Sequence, residues 1–342
     1  MNPLHLTAER LVGPGRGVLA ADESVPTMSK RLESAGVRPS EESRRSYREL
    51  LLTTPGLSRW VSGIIFCEET IGQRLADGRT FATACHDLDI LLGVKVDLGT
   101  RPLALVPGAT VTVGLDTLRE RLAAFKGQGV RFAKWRAVLG VGGGAGSESA
   151  VHANATALAR YAALCQEIDL VPVVEPEVLL TGEHSLDACA EQISRTLTSV
   201  FRECALARVD LAGIVLKPSM VLPGDASGQV VTPDEVARAT LDVLEASVPE
   251  QVPGIAFLSG GQSHASAVAN LAAINSLGDQ PWRLTFSFGR ALVDDALATW
   301  GGHSLRWASA QIALAGNCRR AAGASRPGAA SAREVARPAA RA

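Results

Sequence analysis

The sequence predicts an α/β chain closed as a (β/α)8 TIM barrel, on three observations. Eight short β-rich runs recur along the 342 residues, helix-like stretches separate them, and charged residues gather toward the C-terminal ends of the runs. The runs cover residues 17–24, 61–69, 93–99, 132–139, 170–177, 213–220, 254–261 and 283–290. Segments such as VPVV and GIVL are apolar and rich in β-branched residues, as in strands covered on both faces of a parallel sheet. An open, doubly wound sheet of eight strands is the structural alternative.

The intervening stretches carry helix signals. Thr232-Pro233-Asp234-Glu235 reads as an N-cap, a proline at the first helical position and a capping-box glutamate. Residues 147–167 space their apolar side chains by three and four, with alanine between them. Residues 263–275 and 291–300 read as the helices after the last two strands.

Composition narrows the function. Hydrophobic residues make up 46% of the chain and mean hydropathy is +0.14, which excludes wholesale disorder. Lys and Arg number 34 against 35 Asp and Glu, a net charge of −1. A chain built to bind phosphate backbones is usually more basic, so no nucleic-acid partner is expected. No run approaches the ~18 apolar residues of a membrane helix, and the N-terminus has no apolar signal segment. The six cysteines (67, 85, 165, 189, 204 and 318) are scattered, without C-x-x-C, as expected of reduced thiols in a cytoplasmic protein. Six histidines show no ligand spacing, so no metal is expected, and no other cofactor. Residues 318–342, rich in Ala, Arg, Gly and Pro, read as a mobile basic tail behind a single barrel domain of residues 1–317.

Strand residues two apart share a face. Asp22 and Ser24, Lys95 and Asp97, Lys134 and Arg136, Glu175 and Glu177, and Lys217 and Ser219 are such pairs. Each lies toward the C-terminal end of its run, where barrels carry their active sites. A buried ion-pair network that only neutralises itself is the plain alternative, but desolvating each ion costs several kcal/mol. Lys217, in GIVLKP, has apolar neighbours, and Lys134 two strands away is a cation; both influences favour a neutral amine. A free lysine titrates near ~10.4, so a nucleophilic one must be shifted down. Glu175, on the strand between them, can pass protons. Lys–Glu–Lys on consecutive strands is the set that imine formation at a ketone requires.

Strand seven ends in Ser259-Gly260-Gly261 and strand eight in Ser287-Phe288-Gly289-Arg290, each running into a helix. Glycines let backbone N–H groups approach an anion, the helix N-terminus adds a favourable dipole, and Arg290 adds a bidentate partner. Loops after these two strands frequently bind phosphate in barrels. The glycines at 140–146 also match a dinucleotide fingerprint, but no acidic strand end follows at the expected ~20 residues. They read instead as a flexible loop over the barrel mouth.

The stretches LAADES, KRL, GVKVDLG, FAKWR, ARYA, VEPE, LKPSM, FLSGGQS and FSFGRAL, in that order over residues 10–302, resemble class I fructose-bisphosphate aldolase, the metal-free Schiff-base type. The resemblance implies a (β/α)8 homotetramer that reversibly cleaves fructose 1,6-bisphosphate into dihydroxyacetone phosphate and glyceraldehyde 3-phosphate. By the same resemblance Lys217 is the imine-forming lysine and Glu175 the general acid/base, with Glu177 beside it. Lys134 is the assisting cation, and Asp22 handles the C4 hydroxyl. Ser259, Gly260, Gly261, Ser287, Gly289 and Arg290 match the C1-phosphate cradle. Ser24, Thr27, Arg31, Lys95 and Arg136 match positions around the second phosphate and the sugar hydroxyls. The chain departs from the family pattern at Ala212, at Pro26-Thr27, at Ser219 and at Phe288. It also lacks the family's C-terminal tyrosine, its only tyrosines being Tyr47 and Tyr161. Other expectations are a Schiff-base aldolase preferring another ketose phosphate, such as fructose 1-phosphate, and a low-turnover scaffold that binds a partner through the basic tail.

Overall fold

A computed structural model describes residues 2–328. Eight parallel strands form a closed barrel: β1 (Gly17–Ala21), β2 (Val61–Phe66), β3 (Leu91–Lys95), β4 (Phe132–Leu139), β5 (Val171–Val178), β6 (Val215–Leu216), β7 (Gly254–Phe257) and β8 (Arg283–Phe288). Each strand pairs with its chain neighbour, and β1 pairs with both β2 and β8, which closes the ring. The predicted barrel is therefore the observed one, and the open sheet is excluded.

Two cores hold it. The larger lies between the strands and the surrounding helices. The smaller fills the barrel interior with Val18, Ile65, Leu91, Phe132, Val173 and Ala256. It is plugged from the N-terminal end by Leu4, Ala8 and Leu11 of the helix Pro3–Leu11. Glycine makes room for this plug. A Cβ at Gly93 would lie 2.3 Å from the Phe132 ring, and one at Gly63 would lie 2.7 Å from Leu11. Above this floor the inward positions turn polar, so the same two-residue period that packs the base also aims Lys134, Glu175 and Lys217 into the upper barrel.

The helices start where their caps dictate. Thr232 accepts from the Glu235 N–H while the Glu235 carboxylate accepts from the Thr232 N–H, and the helix Pro233–Ser247 follows. Such a cap stabilises a helix by about 0.5–2 kcal/mol. The helices Glu148–Gln166, His264–Ile274 and Arg290–Trp300 match the segments read from the sequence.

The structure corrects three expectations. Six of the eight strand runs end short at their C-terminal sides. The strand predicted over 213–220 is only Val215–Leu216, because Pro218 has no N–H for the ladder, although the Lys217 N–H still donates to the Val174 carbonyl at 2.8 Å. The glycine segment 140–146 does not cover the barrel mouth. It folds on itself, with the Gly140 N–H donating to the Ala145 carbonyl at 3.1 Å, and none of its residues lines the cavity described below. Gly144 is needed there because a Cβ would collide with the Pro107 carbonyl. Finally, the predicted tail begins too early. Residues 318–324 complete the helix Trp307–Ala324, and Cys318 and Ala321 are buried against the barrel helices. Residues 329–342, the remainder of that basic segment, lie outside the described residues. An antiparallel hairpin, Thr100–Pro102 with Thr110–Thr112, was not anticipated; the Thr112 hydroxyl donates to the Arg136 carbonyl at 2.8 Å and braces β4.

The Gly93→Ala variant should be less stable by about 1–3 kcal/mol in urea unfolding, the usual cost of overpacking. An unchanged midpoint would contradict the tight contact with Phe132.

Candidate active site

At the C-terminal end of the barrel lies a cavity of about 750 Å³. Of the sixteen residues that the resemblance assigns to the site, all but Gly261 line it. Gly261 turns the chain behind Gly260, both glycines in the left-handed region at φ +94° and +57°.

The centre is a chain of buried charges. Lys134 on β4 donates to Asp22 at 2.9 Å and pairs with Glu175 Oε2 at 2.7 Å. Glu175 on β5 pairs through its other oxygen with Lys217 at 2.9 Å. Side-chain exposure is 4–5% for Lys134, Glu175 and Lys217, and 10% for Asp22. The sequence places Glu175 on the strand between Lys134 and Lys217, and in the structure its carboxylate bridges the two amines.

The electrostatics follow from this order. Burial alone would raise the Asp22 carboxyl, but Lys134, Lys217 and Lys95 outweigh it and bring it from 3.8 to about 2. Burial also opposes ionisation of Glu175, and Lys134, Lys217 and Arg136 again win, so it titrates below the ordinary glutamate value. Lys134 is held above the usual lysine range: burial works against its charge, and Asp22, Glu175 and Asp97 overcome it.

Around this chain, Lys95 pairs with Asp97 at 2.6 Å and Arg136 pairs with Glu177. At the β7–β8 side, Ser259 and Ser287 are buried, and the Ser287 hydroxyl has no hydrogen-bond partner among the described residues although it borders the cavity. Gly289 lets the chain pass close to Ala20, where a Cβ would lie 3.3 Å from the carbonyl oxygen. Arg290 opens the helix Arg290–Trp300 and makes no ion pair among the described residues. Beside it, after β1, Ser24 caps the helix Val25–Ser34 and its hydroxyl lies 3.0 Å from that of Thr27. Arg31, in the last turn of that helix, pairs with Glu23 and with Asp294, the latter at 2.6 Å.

Three contributors were not read from the sequence. Glu23 and Asp294 hold Arg31, and Glu23 could have been suspected from its place in LAADES. Arg48 gave no signal, since an arginine in an amphipathic helix reads as surface. It is fully buried and donates to the carbonyls of Ala21 at 3.3 Å and Glu23 at 2.7 Å, which clamps the backbone on both sides of Asp22. Conversely, Ser219, read as the same-face partner of Lys217, does not line the cavity; its hydroxyl donates to the Val178 carbonyl at 2.9 Å. Tyr47 and Tyr161 are buried, with hydroxyls committed to the carbonyls of Val293 and Val173. Among the described residues, no group of three or more His, Cys, Asp or Glu is placed to hold a metal, and no helix is long and apolar enough to cross a membrane.

A buried Lys–Glu–Lys chain beside a cavity is suited to imine chemistry, and comparison with known proteins decides the family. Residues 3–338 match the family model for fructose-bisphosphate aldolase class I. The chain belongs to the class I fructose-bisphosphate aldolases. It is 48% identical over 294 residues to a probable class 1 aldolase of Xanthomonas campestris, covering 86% of this chain and 88% of that one. It is 49% identical over 290 residues to cytosolic fructose-bisphosphate aldolase 4 of Arabidopsis thaliana, covering 84% and 74%. The Plasmodium falciparum aldolase, solved in complex with TRAP and a small-molecule inhibitor, superposes with a TM-score of 0.93 at 41% identity, covering 94% of each chain. The activity is accordingly that of a carbon–carbon lyase working through a Schiff base, a glycolytic aldolase.

The Asp22 carboxylate supplies a pH test. Its value falls from 3.8 to about 2 on folding, so its contribution is complete above pH 3.8 and is lost as pH drops toward 2. Asp22→Asn should be less stable than the parent at pH 5, and the deficit should shrink progressively below pH 3.8 in urea titrations. A deficit independent of pH would show that the ion pair is not its source.

Proposed function

We propose the following division of labour for the aldolase reaction. The ammonium of Lys217 gives a proton to Glu175, 2.9 Å away, and the free amine attacks C2 of the open-chain ketose. Glu175 returns that proton to the carbinolamine hydroxyl, which leaves as water, and a protonated imine remains. Lys134 keeps a positive charge beside Glu175 and Asp22 throughout, so both carboxylates are ionised when they must accept a proton. Asp22 takes the proton of the C4 hydroxyl as the C3–C4 bond breaks and its electron pair moves into the imine, giving an enamine and glyceraldehyde 3-phosphate. A proton added at C3 restores the imine, and water releases dihydroxyacetone phosphate and Lys217. Glu177, paired with Arg136, supports the rim of the site.

Ser259, Gly260, Gly261, Ser287, Gly289 and Arg290 hold the C1 phosphate. Among the described residues the Ser287 hydroxyl has no hydrogen-bond partner and the Arg290 cation no ion pair, and both support this assignment. Ser24, Thr27, Arg31, Lys95 and Arg136 serve the second phosphate and the hydroxyls. The carrying observation is the bridge from Lys217 through Glu175 to Lys134 at the wall of the cavity. Borohydride added to enzyme and fructose 1,6-bisphosphate should add the reduced triose-phosphate mass to the Lys217 peptide and abolish turnover. Adduct mass on another lysine, or none, would refute the covalent assignment.

The assembly we propose is a homotetramer, as the resemblance implies; the exposed apolar side chains Leu206, Val230, Leu305 and Ile312 support self-association. Sedimentation should give about four times the 35.7 kDa chain mass, and a monomer would refute it. The relatives named cytosolic in Arabidopsis thaliana and cytoplasmic in Spinacia oleracea support placement in the cytoplasm.

A further inference from the structure

Two of the arginines that line the cavity, Arg31 and Arg290, are in different electrostatic states. Arg290 makes no ion pair among the described residues, whereas Arg31 holds two carboxylates, Glu23 and Asp294. One positive charge faces two negative ones, so an anion approaching Arg31 meets net repulsion unless a carboxylate withdraws. The two carboxylates are not equally able to do so. Glu23 is 14% exposed, and Arg48 fixes its backbone through the carbonyl at 2.7 Å. Asp294 is 61% exposed, sits four residues after Arg290 on the same helix face, and can swing into water at little cost.

We propose that Asp294 is a specificity-determining residue: it competes with the second phosphate of the substrate for Arg31 and so narrows the preference for a bisphosphate over a monophosphate ketose. A ketose carrying only the C1 phosphate does not engage Arg31, so it leaves the contact between Arg31 and Asp294 intact. A bisphosphate must break the 2.6 Å contact between Arg31 and Asp294 before it gains its own. The proposal rests on the assignment of Arg31 to the second phosphate, and the test separates the two.

Steady-state kinetics of the full chain with fructose 1,6-bisphosphate and fructose 1-phosphate, for Asp294→Ala, Asp294→Asn and Arg31→Met, decide it. Asp294→Ala should lower KM for the bisphosphate by about three- to tenfold, the range of one charged contact, and should lower the ratio of the bisphosphate KM to the fructose 1-phosphate KM. Asp294→Asn, which keeps a hydrogen bond but loses the charge, should fall between. Circular dichroism spectra and urea midpoints close to those of the parent report that the variants are folded. If Arg31→Met raises the bisphosphate KM while both Asp294 variants leave it unchanged or raise it, Asp294 does not compete and the proposal is overturned. If Arg31→Met leaves the bisphosphate KM unchanged, Arg31 is no phosphate ligand and the underlying assignment falls first.

Discussion

The site depends on one buried anion, Glu175, held between two amines. A carboxylate 4% exposed cannot be tolerated alone, because the desolvation of a single ion costs several kcal/mol. Lys134 and Lys217 make its charge tolerable, and Asp22 in turn balances Lys134. Four ionisable groups from four strand ends thus stabilise one another, and none could be buried there without the rest. The same arrangement creates the chemical opportunity. In the proposed mechanism, the carboxylate that touches the Lys217 amine is the shortest route for the proton that must leave it.

The barrel supplies the rigidity this requires. The longest strands, β4 and β5, keep Lys134, Arg136, Glu175 and Glu177 inside the hydrogen-bonded ladder, with Arg136 opposite Glu175 in register. Asp22, Lys217, Ser259 and Gly289 stand just past the strand ends, where the backbone leaves the ladder. There the fold substitutes other restraints: Arg48 clamps the carbonyls around Asp22, and the Lys217 N–H reaches across to Val174. After β7, Gly260 and Gly261 adopt left-handed conformations that residues with a side chain rarely take.

Much of this was legible in the residues. Period-two placement of Lys134, Glu175 and Lys217 at the ends of apolar runs predicted both the barrel and the polar mouth, because alternation on a strand is a local property. Strand ends were overestimated at 213–220 because a run of apolar letters does not reveal where Pro218 interrupts pairing. The helix through residues 318–324 was missed because Ala- and Gly-rich sequence carries little signal until the barrel helices offer a surface to bury Cys318 and Ala321.

The sequence by itself determined the fold class, the family and the set of groups at the mouth, since these follow from spacing and residue type. Only the tertiary structure decided who touches whom. That Glu175 and not Lys134 contacts Lys217, that Arg48 braces Asp22, and that Asp294 engages Arg31 are contacts between residues distant in the chain. Barrel closure sets such distances, and no local pattern encodes them.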